Sequence, residues 1–124
     1  MHAPRRPRVL VVDDEQVIAD TLARILDMNG YEAAAAYSGL SAVESARTLR
    51  PDLMLSDVMM PDIDGIEAAI RVRDFLPSCK VLLFSGHAAT AELLECARTR
   101  GHDFEILAKP VHPAELLAKL KMAG

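Results

Sequence analysis

The amino-acid sequence predicts a parallel α/β sandwich, and three observations carry that prediction. Five short apolar runs alternate with five segments of helical periodicity. The runs at 9–12, 53–56 and 81–84 are nearly continuous rather than alternating, as expected of strands covered on both faces. Gly or Pro stands at many of the boundaries between the two kinds of segment.

Taken in order, the first strand is Val9–Val12. A helix follows whose Ile18, Leu22, Ile25 and Leu26 recur at helical spacing as one apolar stripe, with Gly30 where a C-terminal cap belongs. Glu32–Tyr37 is the second strand. The second helix runs over 39–49, with Ser38 as N-cap and Pro51 barring its extension. Leu53–Ser56 is the third strand, and the third helix spans 65–76 and stops before Pro77. Val81–Phe84 leads to a fourth helix over 90–100, closed by Gly101. Glu105–Ala108 leads to a fifth, which starts at His112-Pro113 and carries Leu116, Leu117 and Leu120 on its apolar face. Alternation of this kind gives a parallel sheet with helices on both sides and right-handed crossovers. A flavodoxin-like three-layer (βα)5 sandwich with strand order 2-1-3-4-5 is expected, as one domain over 8–124 behind a flexible tail at 1–7.

With 51% apolar residues in 124, the chain can bury an ordinary core. A net charge of −4 argues against general nucleic-acid binding, and Arg5, Arg6 and Arg8 read as a solvated tail. No apolar run approaches the roughly 18 residues of a membrane helix, and no signal-peptide core is present, so a cytoplasmic protein is expected. Cys79 and Cys96 lack a CxxC spacing and read as reduced, partly buried small hydrophobes.

The chemistry lies in the carboxylates. Asp13 and Asp14 end the first strand, and Asp57 ends the third. In a 2-1-3-4-5 sheet these strands flank the switch point where ligands bind. A single Asp at a strand end caps a turn. Three converging acids repel one another, and a divalent cation such as Mg2+ (or Mn2+), which favours hard oxygen ligands, is the physical reason to keep them together.

Four motifs in order, Val11-Val-Asp-Asp-Glu15, Ser56-Asp-Val-Met-Met-Pro61 with Asp64-Gly65, Phe84-Ser-Gly86 and Ala108-Lys-Pro110, resemble the receiver domain of response regulators in bacterial-type two-component systems. The resemblance covers about residues 8 to 122. It implies that Asp57 is the phosphoacceptor, forming an aspartyl phosphate from a phosphohistidine donor. It implies that Asp13 and Asp14, with Asp57 and the backbone carbonyl of Met59, hold Mg2+. It also implies that Lys109 pairs with Asp57 and then with the phosphoryl group, that Ser85 is the switch hydroxyl, and that the peptide before Pro110 is cis. The partners implied are a histidine kinase or a histidine phosphotransfer protein, and an unknown downstream protein. Neither direct nucleic-acid contact nor membrane association is expected. The protein is expected to be a monomer or a weak dimer through the face of helix 4, strand 5 and helix 5. The chain reads as a stand-alone receiver whose only catalysis is its own phosphorylation and dephosphorylation.

Some positions depart from the family pattern. Ile106 stands where the family has a switch aromatic, Phe104 is the nearest aromatic, and the 101–109 segment is one residue longer than usual. A muted or different switch is expected. Met59 and His87, two residues after Asp57 and Ser85, match positions that tune phosphoryl lifetime; Met59 cannot orient a water by hydrogen bonding, and His87 reads first as an exposed loop histidine. His2, His102 and His112 have no ligand partners at useful spacing. A flavin or nucleotide module would need a phosphate cradle where Asp13-Asp14-Glu15 stands. A phosphatase with an Asp nucleophile would need a general acid at Met59. A degenerate receiver, acting as a phosphorylation-independent scaffold, would lack site residues that are all present here.

Overall fold

The structure is a computed structural model that describes residues 6–86 and 90–123. The elements are β1 (Arg8–Val12), α1 (Gln16–Asp27), β2 (Glu32–Ala36), α2 (Gly39–Leu49), β3 (Leu53–Asp57), α3 (Gly65–Phe75), β4 (Lys80–Ser85), α4 (Thr90–Thr99), β5 (Glu105–Ala108) and α5 (Pro113–Ala123). All four strand pairings are parallel, and the order is β2-β1-β3-β4-β5, as expected.

Side chains alternate across a strand, so each central strand feeds two cores. Val9 and Val11 join Leu55, Leu82, Phe84 and the inner residues of α1 and α5. Leu10 and Val12 join Met54, Leu83 and the inner residues of α2, α3 and α4. Leu10, Met54, Leu55 and Leu83 are fully buried. Each such side chain contributes on the order of 1.5–3 kcal/mol relative to exposure. These two cores explain why the central runs read as continuously apolar.

Helix α1 departs from the expected stripe. Its buried residues are Ala19, Ala23 and Leu26, while Ile18 is 38% exposed and Leu22 and Ile25 are half-buried. The small alanines share the core side with Leu26, and Ile18, Leu22 and Ile25 fall along the flank. Gly30 takes a left-handed φ of +96° two residues beyond the cap, which is Met28.

The remaining boundary shifts are local. β2 ends at Ala36 rather than Tyr37, whose exposed ring donates its hydroxyl to Asp20 at 2.6 Å. β3 and β4 each run one residue further than expected at the carboxyl end, so Asp57 and Ser85 are the last residues of their strands. α3 stops at Phe75, with Leu76 as its cap. α4 stops at Thr99: the His102 amide donates to the Ala97 carbonyl and the Gly101 amide to Arg98, with Gly101 at φ +88°. That is a Schellman closure, and its left-handed residue is the glycine. Cys79 is buried as expected, whereas Cys96 is exposed on α4.

Candidate functional site

Because α1 and α3 leave β1 and β3 toward opposite faces of the sheet, a crevice opens at the carboxyl ends of those two strands. Asp13 and Asp14 follow β1 at this edge, and Asp57 ends β3. Asp13 and Asp57 are buried, at 3% and 7% exposure, and Asp14 is exposed. One carboxylate oxygen from each lies within 4.8 Å of the others.

Each acid is held by the backbone around it. The Asp13 amide donates to the Ala36 carbonyl at 3.1 Å, and one Asp13 oxygen accepts from the Glu15 amide at 2.9 Å as α1 begins. Asp13 therefore does cap a turn, but that bond uses only one of its two oxygens. Burial pushes its carboxyl above the usual value, the Glu15 amide opposes this, neighbouring Asp57 and Asp14 raise it further, and Lys109 lowers it. A buried carboxylate beside two more carboxylates, with oxygens at this spacing, is a donor set suited to a hard divalent cation.

Lys109 follows β5, and its Nζ lies 3.0 Å from Asp57 Oδ1. Its backbone amide donates to the Ser85 carbonyl at 3.1 Å, and the Lys109–Pro110 peptide is cis. Ser85 is buried at the end of β4, one residue beyond Phe84, the register partner of Asp57. Met59 is exposed in the loop that follows Asp57. Ile106 lies away from the acids, half-buried on β5 beside the core of the α2-α3-α4 face. His87 lies outside the described residues.

Ser56, Asp64 and Gly65 stand within the motifs read from sequence, but their parts in the site were not assigned there. The Ser56 hydroxyl is fully buried and donates to the Asp57 carbonyl at 2.9 Å. Gly65 begins α3 directly against the Asp57 backbone, with its amide donating to the Val58 carbonyl at 2.7 Å. Asp64 caps α3 through the Glu67 amide at 2.8 Å. The Asp-x-x-Glu spacing was a readable sign of that cap. The approach of Gly65 to Asp57 had no local signal.

A groove of about 690 Å³ adjoins the acids. Val17, Ile18, Leu22 and Ile25 of α1 line one side, and Pro110 and Val111 line the other. Asp13 and Lys109 also border it, so the apolar groove and the charged crevice are continuous.

An aspartate cluster at the switch point of a five-stranded parallel sheet, with a lysine reaching into it, defines a class, and comparison with known proteins gives that class a family. Residues 9–121 match the family model described as "Response regulator receiver domain", and the chain belongs to that family. It is 33% identical over 114 residues to Response regulator MprA of Mycobacterium ulcerans, covering 92% of this chain and 48% of that protein. The MprA of Mycobacterium tuberculosis H37Rv is 32% identical, with 92% and 49% covered. The chain thus spans about half the length of the curated relatives it matches. A CheY-like receiver domain protein from Methanospirillum hungatei superposes with a TM-score of 0.85 at 27% identity, covering 96% of this chain and 94% of that one. Chemotaxis protein CheY4 of Vibrio cholerae gives 0.83 at 28% identity, covering 95% and 98%.

Proposed function

We propose that this receiver domain takes a phosphoryl group onto Asp57 from a phosphohistidine donor, a histidine kinase or a histidine phosphotransfer protein, in a reaction that requires Mg2+ or Mn2+. The observation that carries the reading is the contact of Lys109 Nζ with Asp57 Oδ1 at 3.0 Å inside a cluster of three carboxylates. An oxygen of Asp57 bonds to phosphorus as the phosphorus–nitrogen bond of the donor breaks, and the electron pair of that bond stays on the donor imidazole. Lys109 offsets the charge on Asp57 before transfer and on the phosphoryl oxygens after it. Ser85, at the adjoining strand end, supplies a hydroxyl to one of those oxygens. Asp13, Asp14, Asp57 and the Met59 carbonyl would hold the cation, which when bound neutralises charge on the transferring group.

The apolar groove beside the acids is the contact surface for the donor. Met59 offers no acid or base beside Asp57, so the domain acts as a self-phosphorylating and self-dephosphorylating switch, without multiple turnover of phosphomonoesters. It works in the cytoplasm and passes its signal by shifting between two populated surfaces or by onward phosphotransfer.

Intact mass after incubation with acetyl phosphate tests this. A single phosphoryl adduct is expected on the wild type with Mg2+, and none in chelator or in Asp57→Asn. An adduct that persists in Asp57→Asn would overturn the assignment of Asp57.

A further inference from the structure

The loop over residues 58–64 joins Asp57 to α3 and carries Met59. It is tied to α2, a helix that contributes no residue to the acid cluster. The Asp62 carboxylate straddles the first turn of α2: Oδ1 accepts from the Gly39 amide at 3.0 Å and Oδ2 from the Leu40 amide at 2.8 Å. Ser38 takes the next donor, its Oγ accepting from the Ser41 amide at 3.0 Å. The first three amides of α2 are therefore satisfied, two of them by a side chain more than twenty residues away. Ile63 packs so closely on Gly39 that a Cβ there would stand 2.7 Å from the Ile63 carbonyl oxygen. The Leu40 amide, with help from Ile63 and Gly39, holds the Asp62 carboxyl at about 2, so it is ionised across the ordinary pH range.

The two ends of the loop are fixed by the Val58 amide on the Phe84 carbonyl and by Gly65 on Val58. Asp62 supplies a third anchor between them. We propose that Asp62 is a positioning residue for the cation site: by clamping loop 58–64 onto the first turn of α2 it restrains the Met59 carbonyl that would complete the donor set of Asp13, Asp14 and Asp57. This rests on the reading of Met59 as a backbone ligand. A carbonyl on a loop free to rock would lose affinity to the entropy of ordering it at each binding event.

The test is Mg2+ titration by isothermal calorimetry on wild type, Asp62→Ala, Asp62→Asn and Asp57→Asn, with the thermal midpoint of each measured in chelator. Asp62→Ala is expected to weaken Mg2+ binding 3- to 10-fold. Asp62→Asn keeps one acceptor oxygen for the two amide donors and turns an NH2 toward the other, so it retains at most half of the clamp and is expected to fall between wild type and Asp62→Ala. A loss of affinity in Asp62→Ala that vanishes when variant and wild type are compared at high salt would show that Asp62 acts by charge alone and overturn the proposal. So would an Ala variant with a lowered midpoint and wild-type affinity, which is the signature of a helix cap and nothing more. If Asp62→Ala does not fold, Asp62→Glu, which displaces the carboxylate by one methylene with its charge intact, carries the same expectation of weakened binding. Wild-type Mg2+ affinity unchanged in Asp57→Asn would sink the cation site itself, an outcome separate from failure of the Asp62 role.

Discussion

At the scale of single residues, Gly65 carries the tightest constraint in the site. A Cβ at this position would overlap the Asp57 carbonyl oxygen and stand 2.8 Å from Ser56 Oγ. Backbone cannot yield as a flexible side-chain tip can, so any side chain here pushes α3 and the end of β3 apart. Gly65→Ala is expected to cost about 1–3 kcal/mol, the range for overpacking a filled site, and to reduce the yield of the Asp57 phosphoryl adduct. Urea unfolding read beside intact mass checks both; a midpoint equal to wild type would show that the two backbones separate without cost. The three acids, the lysine and the serine were legible in the sequence because each ends a strand or follows one, so their convergence follows from topology. The parts played by Gly65, Ser56 and Asp62 were not, since each depends on which backbone atom lies opposite after folding.

At the scale of elements, β5 and α1 are where pattern and packing part. Ile106 lies on β5 within the layer that holds Leu93 and Leu94 of α4, and has no ring to rotate. Phe104 does not replace it: its ring is buried, with the Arg73 guanidinium 4.9 Å from its centre and the His102 ring stacked at 5.7 Å. An Ile106→Tyr variant is therefore expected to show larger beryllofluoride-induced amide shifts along α4, β5 and α5 than wild type. Amide spectra of both proteins with and without Mg2+ and beryllofluoride provide the comparison, and matching shift patterns would remove Ile106 as the cause of a muted switch. In α1, periodicity located the helix and its buried Leu26 but placed Ile18, Leu22 and Ile25 further inside than they lie. Hydrophobicity weights Ile18 and Ile25 above Ala19 and Ala23, whereas close approach to the sheet favours the alanines. The large side chains left on the flank become one wall of the groove beside the acids.

At the scale of the whole molecule, no helix among the described residues is long and apolar enough to cross a membrane, and the two cores sit on opposite faces of the sheet with Cys79 inside one of them. Burial pushes the Cys79 thiol from 9.0 up to about 11, opposed by Arg73 and aided by Asp52. A group with a raised folded value leaves stability intact below its unfolded value, and that stability is lost as pH rises through the folded one. The alkaline limb of the stability curve should therefore fall between about pH 9 and pH 11, by on the order of 2–3 kcal/mol from this group. Cys79→Ala should be flatter over that window in denaturant titrations across the pH range. An identical slope would mean that the thiol reaches solvent in the folded state. The other cysteine has the opposite setting. Cys96 is exposed on α4, one residue before the buried Ala97, and the chain contains no tryptophan. The unaltered protein is thus singly addressable: a maleimide dye or spin label goes to one known place on the helix that borders the Ile106 layer. A lone tryptophan introduced anywhere else would be the only indole in its emission spectrum.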